Sequence, residues 1–174
     1  MDAGLQSKRE SHLKAIFISN GFEPLDGFWS NLVAQLEKDG YAVVPIAVSR
    51  DRSDFLKQLP SAPEPIAAYF DVVVQNYGYM AAGIGSENPY RPFLILNCKL
   101  VRVSDSAILM QDSVAVNPLN TGSGWLAQKL VTISPDPAFA FPGMDEITNN
   151  PKQAIEGTKS AFAQSTEAVG KLLR

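Results

Sequence analysis

Two residues could anchor nucleophilic chemistry, and each is alone in its type: Cys98 is the one cysteine and His12 the one histidine. A Ser-His-Asp or Cys-His mechanism would have to use His12 as its base. His12 sits in the polar lead-in that precedes the first apolar run. Cys98 alternates with Leu94, Leu96 and Leu100, the pattern of a small buried hydrophobe on a strand. A single cysteine excludes an intramolecular disulfide and any cysteine-based zinc site, and a single histidine excludes a multi-histidine centre. The expectation is therefore no catalytic residue, no metal ligand set and no cofactor.

Gly83-Ile84-Gly85 has the look of a dinucleotide fingerprint, but that motif needs a helix N-terminus directly after its glycines to hold the pyrophosphate. Here Asn88-Pro89-Tyr90-Arg91-Pro92 follows, so a hairpin loop is the expectation. A better ligand position is the loop after the first apolar run, where Ser19, Asn20, Gly21 and Asp26 would lie beyond the carboxyl end of a strand. Glu23 and Asp26 place negative charge where a phosphate would go. Glu87, Asp105 and Asp112 have no spacing that argues for a catalytic pair. Tyr77, Tyr79 and Tyr90 cluster around the loop after the long central run and suit either half-buried strand positions or a protein contact. Phe139-Ala140-Phe141, inside a proline-rich segment, suits either a lid folded over the core or a docking segment.

The elements that must position these groups follow from periodicity. Leu13–Ser19 reads as a buried strand. A helix then carries Leu25, Phe28, Trp29, Leu32, Val33 and Leu36 on one stripe, with Asp26 as N-cap and Gly40 as the residue that ends it. Tyr41–Val48 reads as a second strand, with Pro45 implying an edge or a bulge. Phe70–Ala82, Pro92–Val103 and Ile108–Val116 read as an antiparallel meander. Residues 125–133 fit a short strand or a helical turn, and Met144–Asn149 one helical turn. The last helix begins at Pro151, is capped by Asn150, and has Ile155, Thr158, Phe162, Thr166, Val169 and Leu173 on one stripe.

The chain has 174 residues, of which 45% are hydrophobic, and a net charge of −3. This fits one domain at residues 13–174 after a flexible lead-in at 1–12. Lys and Arg are scattered, so nucleic acid is not an expected partner. No run approaches the ~18–20 apolar residues of a spanning helix. The fold class expected is α+β (α/β in a broader usage): a mixed sheet of about five strands with an antiparallel meander, an N-terminal strand-helix-strand unit, and a C-terminal helix packed on the sheet.

Three segments carry a resemblance: Phe70-Asp71-Val72-Val73-Val74, the run from Tyr90 to Val101, and Ala107-Ile108-Leu109-Met110-Gln111-Asp112. With the order of elements, they resemble the α/β domains of bacterial cell-envelope lipoproteins, the group of the curli-secretion lipoprotein, the penicillin-binding-protein activators and the amino-terminal domain of TolB. The resemblance covers roughly residues 13–130. It implies a non-enzymatic periplasmic or outer-membrane-associated protein that acts through protein–protein contacts in an envelope assembly, alone or as a homo-oligomer. Its signal peptide, and a lipidated cysteine, would precede Met1. The contact residues expected are Tyr77, Tyr79, Tyr90, Phe139 and Phe141. The alternative is a flavin- or nucleotide-binding protein or enzyme using Ser19, Asn20, Gly21 and Asp26.

Overall fold

The computed structural model describes residues 13–50, 54–61, 65–83, 87–118 and 129–174. His12, the lead-in, and the glycine pair completed by Gly85 lie outside the described residues. The fold is α+β. Strands β1 (Ala68–Met80), β2 (Arg91–Arg102), β3 (Ile108–Val116) and β4 (Lys129–Ile133) form one sheet in that order. β1, β2 and β3 are the expected antiparallel meander, and β4 runs parallel to β3. The sheet thus has four strands rather than about five.

The N-terminal strand-helix-strand unit is not present. Residues 13–19 form a helix, α1. Leu13, Ile16 and Phe17 are buried while Ile18 is 58% exposed. That i, i+3, i+4 spacing is helical, and the apolar run Ala15–Ile18 concealed it. Residues 41–48 form no strand, and Tyr41 and Val48 are exposed. Pro45 lacks an N–H for a ladder; the segment is held instead by the Tyr41 hydroxyl on the Leu173 carbonyl and by Val43 against the core, and Arg50 follows it. Its guanidinium pairs with Asp71 of β1 and donates to the Asp54 carbonyl at 2.9 Å.

α2 (Pro24–Lys38) starts one turn earlier than the sequence suggests. Glu23 holds the N-cap position, Pro24 is the first helical residue, and Asp26 lies within the first turn rather than at the cap. Its buried stripe is Pro24, Phe28, Leu32 and Leu36, while Trp29 faces solvent. The helix ends as expected. Gly40 adopts φ 94°, a left-handed conformation open to glycine. Its N–H bonds to the Glu37 carbonyl and that of Tyr41 to the Leu36 carbonyl, each at 3.0 Å, the two bonds of a Schellman motif.

α3 (Met144–Asn149) and α4 (Pro151–Leu172) match their expected positions. The Asn150 side chain does not cap α4; its Nδ2 donates to the Glu146 carbonyl at 2.8 Å and closes α3 instead. α4 lies on β2 and β3, and α2 packs against α4. Between them sit Phe28, Leu32, Leu96, Cys98, Val114 and Phe162, the centre of the main core. Each fully buried Leu, Val or Phe there contributes ~1.5–3 kcal/mol. A second cluster joins α1 to α3 and α4 through Phe17, Tyr79, Phe141, Ile147 and Ile155.

The C-terminal ends of α2 and α4 are latched together. Asp39 accepts from Gln35 Nε2 at 2.9 Å and pairs with Arg174. The Gln35 hydrogen bond, aided by Arg174, holds the Asp39 carboxyl below its ordinary value. Further along α4, the Ser165 hydroxyl is fully buried and has no hydrogen-bond partner among the described residues. Ser165→Ala removes that unmet group and adds helix propensity. It is expected to stabilise the protein by about 1 kcal/mol, a rise of roughly 2–4 °C in Tm, read by thermal unfolding. A lower Tm would contradict this.

Candidate functional site

The four ligand residues suggested by the sequence do not sit beyond a strand. Ser19 and Asn20 close the C-terminal turn of α1: Ser19 Oγ and Asn20 Nδ2 donate to the Ile16 carbonyl at 3.0 and 2.8 Å. Gly21 follows at φ 63°, and Asp26 is exposed in the first turn of α2. Both side chains thus share the one Ile16 carbonyl with the Asn20 N–H, at the C-terminal end of α1. The premise that placed a ligand there, the carboxyl end of a parallel strand, does not hold.

The aromatic residues divide. Tyr79 and Phe141 are buried and meet at 5.4 Å between ring centroids, and Tyr79 donates its hydroxyl to the Ala154 carbonyl at 3.1 Å. Burial pushes the Tyr79 phenol up. Tyr77 packs edge-on against Phe162 at 5.5 Å, and its phenol is also raised, by burial first and the Glu23 charge second. Tyr90 pairs its backbone with Phe141 in an isolated bridge, with N–H to carbonyl distances of 2.7 and 2.8 Å. Phe139 is half-buried above α4. The segment containing Phe139 and Phe141 is the lid over the core. Tyr79 and Phe141 are internal, so neither offers a contact surface.

Cys98 lies on the helix-facing side of β2, opposite Val72 and Asp112, and is completely buried. Burial, with the Asp112 and Asp71 charges added, pushes its thiol up to about 12. At pH 8 about one thiol in ten thousand is ionised at that value. The folded protein is expected to resist a thiol reagent at pH 8, with labelling tracking the unfolded population in urea. Rapid stoichiometric labelling without denaturant would contradict this.

The groups the sequence did not single out lie at the β2–β3 hairpin end. Register places Leu100 opposite Met110 and Val101 opposite Ile108, so Leu109 is an extra residue in a bulge. A bulge re-aims side chains, and here it leaves Ile108 outward while Met110 packs against the core. Ile108 is 60% exposed, Leu109 46% and Val103 44%. The turn beneath them is fixed. Asp105 pairs with Arg102 at 3.1 Å and accepts from the Ala107 N–H at 3.1 Å. Ser106 adopts φ 57°, and the Arg102 N–H reaches the Ala107 carbonyl at 2.9 Å. The Val103 N–H bonds to the Ala67 carbonyl at 3.0 Å, tying the tip to the start of β1. The result is three aliphatic side chains held outward on a braced turn.

Among the described residues, no three His, Cys, Asp or Glu side chains converge to hold a metal, and no helix is long and apolar enough to cross a membrane. No protein-family model, curated protein or solved structure matches this chain.

Proposed function

We propose that this chain is a non-catalytic binding module of the bacterial cell envelope, and that it engages a partner protein through the β2–β3 hairpin end. The observation that carries the reading is the outward set of Val103, Ile108 and Leu109 on a turn braced by Asp105. Leaving three aliphatic side chains in water forgoes burial that a folded chain ordinarily gains. Bracing them beforehand lowers the ordering cost of an interface. The sealed position of Cys98 supports a structural rather than reactive role for that thiol. The resemblance of Phe70–Val74, of the run from Tyr90 to Val101 and of Ala107–Asp112 to segments of envelope lipoproteins supports the compartment.

The contact test pairs folding with binding. Ile108→Lys together with Leu109→Lys is expected to leave Tm within roughly 2 °C, because these exposed side chains contribute little to the core. The same variant is expected to lose a stoichiometric partner that co-purifies with the parent protein from envelope fractions. Retention of that partner by the folded variant would overturn the contact surface. Recovery of the full gene product from the cytoplasmic fraction would overturn the compartment.

A further inference from the structure

Asn20 is followed by Gly21, and every other asparagine of the chain precedes a residue with a side chain. A glycine amide nitrogen has no side chain to shield it, so it can attack the Cγ of the preceding asparagine, which makes such asparagines thermolabile. The fold closes this pair into the end of α1. The Phe22 N–H reaches the Phe17 carbonyl at 2.9 Å and the Gly21 N–H the Ile18 carbonyl at 3.0 Å. These are the two bonds of a Schellman motif, with Gly21 at its left-handed position, φ 63°. The Phe17 and Phe22 rings meet edge-on at 5.2 Å between centroids. The nitrogen that would attack is thus held on Ile18, and the amide that would leave is held on Ile16, through Asn20 Nδ2 at 2.8 Å. Toward solvent the pair is open: Asn20 is exposed, and a methyl placed on Gly21 would meet nothing within 4 Å.

We propose that Asn20 is a self-modification site, converted to isoaspartate when the end of α1 opens, and that conversion releases α1 from its core cluster. The Gly21 amide gives its proton to water, the Gly21 N–Asn20 Cγ bond forms, and the Cγ–Nδ2 bond breaks. The amide departs as ammonia, taking a proton back from water. Water then opens the succinimide. Cleavage between Gly21 N and the Asn20 main-chain carbonyl carbon leaves the chain running through Cγ, which is isoaspartate; cleavage at Cγ leaves aspartate. Helix ends open at lower cost than the whole fold, so this opening sets the rate. The isoaspartyl product cannot close the end again. Its main chain is one methylene longer, which shifts Gly21 and Phe22 off the Ile18 and Phe17 carbonyls. The freed carboxylate replaces the Nδ2 donor at the C-terminus of α1, where negative charge opposes the macrodipole. Leu13, Ile16 and Phe17, which seat α1 in its cluster, lose their anchor. This inference is independent of the hairpin end.

The test holds the full chain in mildly alkaline buffer, folded or in urea, and maps isoaspartate by mass spectrometry of its peptides. The folded chain is expected to convert at Asn20 ahead of every other asparagine, at least roughly tenfold more slowly than in urea. Phe22→Ala loosens the closed end without replacing either reacting residue. It is expected to raise the folded rate by roughly tenfold and leave the urea rate unchanged, with amide exchange in β2 reporting that the variant is folded. Converted protein, separated by its added negative charge, is expected to lose exchange protection at Gly21 and Phe22 while β2 keeps its own. Conversion in urea with none at Asn20 in the folded chain would overturn the site. Equal rates in both conditions, or an unchanged rate in folded Phe22→Ala, would overturn the gate. Unchanged exchange at Phe22 in the converted protein would overturn the release.

Discussion

Asp71→Ala is expected to destabilise the protein by about 3 kcal/mol, a fall of roughly 6–12 °C in Tm. Asp71 is 4% exposed near the start of β1. Its carboxylate pairs with Arg50 and accepts the Leu56 N–H at 2.8 Å. One side chain thus fastens two points of the irregular segment before β1 to the sheet. Nearby, the Lys99 ammonium lies 4.6 Å from the centre of the Phe55 ring, and Tyr69 donates its hydroxyl to the Pro60 carbonyl at 2.5 Å. Removing the carboxylate strands a half-buried guanidinium and an amide donor together. Arg50→Ala is expected to cost a comparable amount, since it leaves the buried Asp71 carboxylate with only the Leu56 N–H. In a double-mutant cycle the two changes should be strongly non-additive. Urea unfolding of the four proteins checks this, and an Asp71→Ala loss below roughly 1 kcal/mol would show that the ion pair does not hold the segment.

Gly157→Ala is expected to cost about 2 kcal/mol, against the rule that alanine improves a helix. Helix propensity alone would favour alanine by ~1 kcal/mol. A methyl at Gly157 would lie 2.1 Å from the Tyr79 hydroxyl oxygen and 2.8 Å from Phe139 Cβ. Both neighbours must move, and overpacking of this kind costs ~1–3 kcal/mol. Displacing Tyr79 also breaks its buried bond to the Ala154 carbonyl, a further ~1–3 kcal/mol. The bare Cα of Gly157 is thus what lets α4 approach β1 and the Phe139 segment. Combining Gly157→Ala with Tyr79→Phe removes the oxygen in the way, so the pair should cost less than the sum of the singles. A Tm equal to or above that of the parent for Gly157→Ala would contradict the close approach.

The elements that were legible in the sequence are those with long, unmixed patterns. The three meander strands, α2 with its Gly40 terminus, and α4 with its Ile155–Phe162–Val169 stripe each repeat their period several times. Shorter runs misled. Seven residues around Ala15–Ile18 admit either period, and the spacing of Leu13, Ile16 and Phe17 was the usable signal for a helix. Residues 41–48 have the composition of a strand, but a strand exists only where another lies beside it to complete the ladder. Asp71 interrupts the apolar run from Ile66 to Val74. A carboxylate at that place in a buried strand calls for a cation, but Arg50, Arg52 and Lys57 all precede it and their spacing does not choose among them.

The surface features were less visible. No periodicity reports the bulge at Leu109, because one extra residue leaves the composition of β3 unchanged while turning Ile108 outward. Glu87, Arg91 and Asn117 border one pocket because the β1–β2 connection and the start of β2 lie beside the end of β3, a placement that residue types do not report.

The contact surface at the hairpin end is tested most directly by placing a photo-crosslinking amino acid at Ile108 in the full gene product, with a second at exposed Lys152 on α4 as the comparison. Irradiation of intact cells is expected to give one discrete adduct from position 108, none of that size from position 152, and loss of the adduct when Leu109 and Val103 are both lysine. The same adducts from both positions, or none from position 108, would contradict a partner seated on that turn.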